Sequence, residues 1–334
     1  MSVFKREEVL YPEYLPLNLP HREGQIKLIS ENLSLLLKNS KPTNIFIYGP
    51  PGVGKTAVAK FVLREFEKYS GIKNVYINCW QYNTSFAVLS EIGIAMGAFI
   101  SRRGWAKDEI FSRIVQKMEN DKLNLIIVLD EIDQLIKNDQ SVLYDLLRIE
   151  SYTTQKIGLI FISNDKYAFR NVDERIKSSL NLEEIEFKPY SFLEMKDIVE
   201  QRMKEAFTAY EEGVSALVAA KAVERGDVRV ALQILLKAGR IAKEKVRVED
   251  VKKVIKEDVN PKEEEIMKML NEEEKKILEI LNEPKTTKKV FEELKKFDSI
   301  SKSEFYRTIE RMMKKGLIKI IGREKRFGII YKIF

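Results

Sequence analysis

The chain has 334 residues, of which 33% are charged and 44% hydrophobic, and a formal net charge of +7. That length exceeds one ordinary core, so two or three domains are expected. The single cysteine, Cys79, and the single histidine, His21, exclude an intrachain disulfide and a structural zinc cluster. Cys79 reads as a small buried hydrophobe in a reducing interior. No apolar run reaches the ~18 residues of a membrane span, and Met1–Glu8 lacks the apolar core of a signal peptide. A cytoplasmic protein with no membrane partner is expected. Lys and Glu dominate the charge, which leans towards a thermophile.

The first informative segment follows the apolar run Ile45-Phe46-Ile47-Tyr48. It reads Gly49-Pro50-Pro51-Gly52-Val53-Gly54-Lys55-Thr56 and leads into the amphipathic stretch Ala57–Tyr69. A strand, a tight glycine-rich turn and a helix in that order make a phosphate-binding loop. The glycines let backbone N–H groups close around phosphate, and the helix turns its partly positive end to the same anion. Lys55 is expected to reach the β- and γ-phosphates, and Thr56 to hold Mg²⁺ through its hydroxyl. Residues 49–57 are therefore the expected nucleotide cradle.

Leu125-Ile126-Ile127-Val128-Leu129 is continuously apolar, as in a parallel strand buried on both faces. It ends in Asp130-Glu131, and carboxylates at such a strand end face the ligand crevice of an open α/β sheet. Asp130 is expected to hold Mg²⁺ through water, and Glu131 to orient and deprotonate the attacking water. A third strand, Gly158–Ser163, ends in Asn164, whose amide suits a γ-phosphate sensor.

Residues 189–258 read as all-helical, over Ser191–Ala209, Gly213–Arg225, Val228–Glu244 and Val248–Lys256. Asp227 can cap the helix that presents Arg229. The charged, proline-containing stretch 257–263 reads as a linker, and residues 266–334 as three helices and a hairpin. The helices are Glu272–Leu281, one capped by Thr286 or Thr287, and Ser301–Lys315. The hairpin strands are Leu317–Ile321 and Gly328–Phe334, joined by a basic turn from Gly322 to Phe327. That arrangement is a winged helix. Residues 302–334 hold ten basic and three acidic residues, a local +7 equal to the charge of the whole chain. A basic segment on a neutral body is the footprint of phosphate-backbone binding. Lys302, Arg307 and Arg311 on the recognition helix and Arg323, Lys325 and Arg326 on the wing are the candidate contacts to double-stranded DNA.

The order of strand-loop-lysine, strand-Asp-Glu and strand-Asn resembles an AAA+ ATPase. Gly226-Asp227-Val228-Arg229-Val230-Ala231-Leu232 is similar to that class's second sensor, in which a lid arginine, here Arg229, reaches the γ-phosphate. Further strings narrow the match: Leu19-Pro20-His21-Arg22-Glu23, Tyr76-Ile77-Asn78-Cys79, Leu129-Asp130-Glu131-Ile132-Asp133, Ser178-Ser179-Leu180 and Phe187-Lys188-Pro189-Tyr190. Together they resemble the archaeal replication initiators related to origin recognition complex subunit one and cell division control protein six. The resemblance implies an α/β AAA+ core over residues 1–188, a helical lid over 189–258 and a C-terminal winged helix over 266–334. It implies ATP or ADP with Mg²⁺ as ligands and a slow, switch-like ATPase at the nucleoid. It also implies recognition of replication-origin DNA, helicase loading and contact with initiator paralogues. By the same resemblance Tyr190 packs near the base and Arg202 meets phosphate charge, and an insertion over Gln81–Met118, with a basic turn at 101–105, touches DNA. Arg175-Ile176-Lys177-Ser178-Ser179 departs from the broader Arg-x-x-Ser-Arg pattern of trans-acting arginines, so Arg175 is expected to pair locally. The rival reading is a signalling or defence ATPase that uses its winged helix for regulation or protein contact.

Overall fold

The computed structural model describes residues 3–100, 105–256, 270–281, 285–295, 300–314, 317–324 and 327–332, with side chains as far as residue 319. The chain divides into two compact units, Met1–Val251 and Lys252–Phe334.

The first unit is built on a five-stranded parallel sheet: β1 (Asn44–Tyr48), β2 (Lys73–Asn78), β3 (Leu125–Asp130), β4 (Ile157–Ser163) and β5 (Leu182–Glu186), in spatial order β2-β3-β4-β1-β5. Every residue of β1, β3 and β4 is buried, which explains their unbroken apolar runs. Successive side chains alternate between two cores. Ile45, Ile47, Ile126, Val128, Ile160 and Ile162 pack under α1 (Glu23–Leu33) and α2 (Lys55–Ser70). Phe46, Leu125, Ile127, Leu129 and Phe161 face α3 (Ser85–Ala95) and α4 (Lys107–Asp121). Between β3 and β4 come the short helices α5 (Ile132–Asn138) and α6 (Ser141–Leu147), and α7 (Glu174–Leu180) precedes β5. Because β4 lies between β3 and β1, the loops after these three parallel strands emerge side by side at one end of the sheet.

The strand β5 carries no apolar run in the sequence. It is an edge strand in which only Ile185 is buried, and its glutamates all keep some exposure, as suits a sheet edge. The interval 81–118 contains α3 and the start of α4, which pack on each other. The basic turn expected to touch DNA lies at 101–104, outside the described residues, except for Trp105, whose ring carries Arg113 at 4.2 Å.

Three helices follow, α8 (Phe192–Ala206), α9 (Val214–Arg225) and α10 (Val228–Ile241), with a further helical run over 248–256. Ser191 and Glu194 form a reciprocal capping box at the start of α8, and Gly226 ends α9 in left-handed geometry. The N-terminal segment, expected with the sheet, packs on this helical lid instead. Phe4 meets Phe207 at 5.2 Å, and the amides of Lys5 and Arg6 both donate to the Ala206 carbonyl.

The second unit holds α11 (Glu272–Ile280), α12 (Thr287–Leu294) and α13 (Lys302–Lys314) around a core that includes Ile277, Val290, Leu294, Phe305 and Met312. A three-stranded sheet completes it, with β6 (Lys285–Thr286), β7 (Ile318–Glu324) and β8 (Phe327–Lys332) in order β6-β8-β7. This is a winged helix. The two-residue β6 is absent from the sequence reading, being too short to carry a period. The basic turn is also narrower than the sequence suggests. Backbone pairing of Arg323 with Gly328 and of Glu324 with Phe327 makes most of 322–327 strand, after an irregularity between Ile320 and Gly322.

Candidate functional site

The loop after β1 turns on glycines with positive φ, Gly52 at 75° and Gly54 at 91°. A Cβ at Gly52 would stand 1.9 Å from the Asp227 carboxylate, and one at Gly54 would stand 3.0 Å from the Tyr190 hydroxyl. The positive φ favours glycine at both positions, and a side chain at Gly52 would also have to displace the Asp227 carboxylate. Lys55 opens α2 and is 7% exposed. Its ammonium donates to the carbonyls of Gly49 and Pro50 at 2.7 and 2.8 Å and to Asn164 Oδ1 at 2.8 Å. Burial lowers its pKa, while the nearby carboxylates of Asp130 and Glu131 oppose that shift.

At the end of β3, Asp130 Oδ2 accepts from the Thr56 hydroxyl at 2.6 Å and from the Tyr76 hydroxyl at 2.7 Å. Its other oxygen accepts the Glu131 amide at 2.8 Å. Glu131 takes a left-handed backbone, φ 54°, as the N-cap of α5. Such strain in a non-glycine residue is usual where a side chain must be aimed. Asn164, after β4, donates to both Glu131 oxygens at 3.2 and 3.1 Å. Burial raises the Glu131 pKa first, and the charges of Asp130 and Asp133 add to it. The loop lysine, both strand-end carboxylates and Asn164 thus form one connected network.

The lid reaches the same place. The amide of Val228 donates to the Gly52 carbonyl at 3.1 Å. Asp227 caps α10 through the Arg229 amide at 2.8 Å and also takes the Arg229 guanidinium, with Nη2 at 2.6 Å. A cleft of about 350 Å³ is lined by Gly52, Gly54, Lys55, Thr56, Ala57, Glu131, Asn164, Tyr190, Arg202 and Arg229. Pro51 is also on its wall, while Pro50 and Gly49 supply carbonyls to Lys55 and Val53 is fully buried.

Two arginines make contacts that the sequence does not reveal. Arg202, expected at phosphate, is 8% exposed and donates to the Val9 carbonyl at 3.3 Å, with its guanidinium 5.2 Å from the Tyr14 ring centre. Burial lowers its pKa. Its described contacts fasten the N-terminal segment to α8. Arg22 belongs to one of the family-like strings, yet its role is not legible there. It is 5% exposed, lies 3.8 Å over the Tyr190 ring and donates to the carbonyls of Val53 and Lys188 at 3.0 and 2.8 Å. It thereby joins the phosphate loop to the segment leading into the lid. The same holds for Tyr76 and its bond to Asp130. No periodicity could reveal either function, because both partners are more than 30 residues away in the chain.

On the second unit, Lys302 and Arg307 stand exposed on α13. Arg311 is engaged differently: its Nε donates to Glu274 at 3.0 Å, a carboxylate whose side chain is 2% exposed. Arg311 therefore ties α13 to α11, while its side chain remains 48% exposed. The backbone of Arg323 lies in β7, whereas Lys325 and Arg326 lie outside the described residues. Arg175 pairs with its own helix cap, Asp173, at 3.0 Å, as the departure from the trans-acting pattern suggested.

A phosphate loop, a strand-end Asp-Glu pair, a strand-end asparagine and an arginine-bearing helical lid around one cleft define an AAA+ nucleotide-binding protein. The sequence agrees. Residues 38–168 match the family model of an AAA domain, and residues 196–261 match a Cdc6 AAA+ ATPase-type lid domain. The chain is 39% identical over 268 residues to ORC1-type DNA replication protein 1 of Archaeoglobus fulgidus, covering 76% of this chain and 66% of that protein. It is 42% identical over 255 residues to the ORC1-type DNA replication protein of Pyrococcus abyssi, covering 72% and 61%. It also resembles the solved structure of the Aeropyrum pernix ORC1 protein in complex with DNA, with a TM-score of 0.71, 30% identity and coverage of 99% and 94%. The chain belongs to the ORC1/Cdc6 family of AAA+ ATPases. Its matches span 61% and 66% of the length of those two curated relatives. Among the described residues, no helix is long and apolar enough to cross a membrane.

Proposed function

We propose that this protein is an ATP-dependent, DNA-binding initiator that recognises replication-origin DNA and helps load the replicative helicase. The observation that carries the nucleotide half is the convergence of Lys55, Thr56–Asp130, Glu131–Asn164 and the lid residue Arg229 on one cleft. The residues present fit the ligands. Gly52 and Gly54 turn the loop through positive φ, which favours glycine, and Lys55 is a buried cation at its end. Thr56 Oγ1 and Asp130 Oδ2 are hard oxygen donors, suited to Mg²⁺, which takes one or two protein oxygens and keeps its waters. Thr56 and Asp130 would hold the ion, which would supply Lewis-acid stabilisation of the charge that develops on phosphate.

The chain's own groups then have distinct tasks. Lys55 exchanges its loop carbonyls for phosphate oxygens. Tyr76 and the Glu131 amide hold the Asp130 carboxylate in place from both sides. Glu131 accepts the proton of the attacking water on its carboxylate, and Asn164 holds that carboxylate at the cleft edge. Arg229 senses the γ-phosphate, and its movement couples nucleotide state to lid position. Tyr190 packs near the base.

The DNA half rests on the winged helix and its exposed basic residues, and on the DNA complex of the Aeropyrum pernix relative. Phosphate contacts would dock α13 and the wing, with Lys302 and Arg307 nearest to base edges. The replicative helicase, initiator paralogues and the nucleoid are the partners and location that follow from this reading. The test is a genome-wide map of bound DNA. Discrete peaks at one or a few loci are expected. A protein with no DNA affinity would overturn the reading and favour the signalling ATPase with a protein-contact winged helix.

A further inference from the structure

The lid arginine is held, in this structure, by its own neighbour. All four described hydrogen bonds of Arg229 go to Asp227: its amide at 2.8 Å, Nε to both carboxylate oxygens at 3.0 Å, and Nη2 at 2.6 Å. Asp227 is fixed in turn. Its carboxylate fills the space beside Gly52 that a Cβ would occupy, and the next residue, Val228, donates its amide to the Gly52 carbonyl at 3.1 Å. The Asp227 side chain is 18% exposed and that of Arg229 is 58% exposed, so the aspartate is the fixed member and the arginine the mobile one. The carboxylate also lies close enough for its charge to act on Lys55.

We infer that Asp227 is a specificity-determining residue that sets how strongly the protein prefers ATP to ADP, by competing with the γ-phosphate for Arg229. This rests on the reading of Arg229 as the γ-phosphate sensor. A carboxylate carries one charge, while a terminal phosphate presents three oxygens and more charge. Arg229 therefore leaves Asp227 only for the more highly charged anion. ADP also ends in a phosphate, but it has none at the γ position that Arg229 reaches, and so it leaves the pair intact. Asp227 thus lowers ATP affinity without lowering ADP affinity.

The test uses the full chain, a non-hydrolysable ATP analogue, ADP and isothermal titration. Asp227→Asn removes the charge but keeps a residue equally suited to capping α10, and Asp227→Ser does the same with a smaller side chain. For an exposed pair the competition is modest, so the ATP-to-ADP affinity ratio should rise on the order of two- to fivefold in both variants. In an Arg229→Ala background the same substitutions should leave the ratio unchanged, since nothing remains to be released. A ratio that stays constant or falls in both single variants would overturn the inference, as would an equal gain for both nucleotides or a rise that persists without Arg229. The parent reading fails separately: Arg229→Ala alone would then leave the ratio at its wild-type value, and the inference would fall with it. If Arg229→Ala lowers the ratio and Asp227→Asn does not raise it, only the inference is lost. Melting curves of each variant confirm that the lid remains folded.

Discussion

Lys55 is 7% exposed and donates to three oxygens, whereas Lys302 and Arg307 stand exposed on α13. In the first unit Lys55 and Asp130 are buried, and each is held by several partners. The second displays its candidate charges on a helix surface. In a buried network the removal of one group leaves others unsatisfied, so effects are large and do not add. At a surface the charges act through a screened potential, so effects are graded and depend on salt. The arginines at 175 and 229 repeat the lesson at small scale. Each follows a capping aspartate by two residues and pairs with it, at 3.0 and 2.6 Å. Only Asp227 also packs on the phosphate loop. The same local motif thus meets different surroundings in the two places.

The contrast is broken most directly at Lys55. Lys55→Ala should weaken ATP binding by about a hundredfold or more, because several charge-assisted bonds are lost together. Isothermal titration checks this, and affinity within about threefold of wild type, a change of under ~1 kcal/mol, would place Lys55 outside the site. Glu131→Gln should keep ATP binding while phosphate release falls by about 10²- to 10⁴-fold, since the amide cannot take the water's proton. The wild-type pH profile sharpens the assignment. Burial and the charges of Asp130 and Asp133 raise the Glu131 pKa, and its working form is the deprotonated one. Hydrolysis should therefore fall as pH drops, with a midpoint shifted upward from that of a free glutamate. Glu131→Gln should lack that acidic limb.

Arg229→Ala lies between the extremes. It should bind ADP nearly normally and lose about fivefold or more of its preference for ATP, measured by paired titrations. Equal losses for both nucleotides would make Arg229 structural. The surface behaviour is tested by neutralising Arg323, Lys325 and Arg326 together. Affinity for all duplexes should fall, and the slope of log affinity against log salt should flatten by about two to three units. Hydrolysis without DNA should be little changed. Fluorescence anisotropy across a salt series measures the slope, and identical slopes would remove the wing from DNA. The smallest effect belongs to Arg175→Ala, whose pair with Asp173 is local and exposed. Melting temperature and turnover of the isolated chain should stay at wild-type values.

The phosphate loop, the Asp130–Glu131 pair and Asn164 are legible from sequence because each stands at the end of an unbroken apolar strand, and a strand buried on both faces announces itself locally. The winged helix is legible in its three helices, whose apolar faces repeat at helical spacing. The charged edge strand β5 and the short β6 are not, since neither carries a period. Nor are the partnerships of Arg22 with Tyr190, Tyr76 with Asp130, Arg202 with Val9 and Arg311 with Glu274. Residue type and spacing determined which groups could bind a nucleotide. Which groups are free to act, and which are already held by a distant partner, was decided only when the tertiary structure brought remote segments within hydrogen-bonding distance.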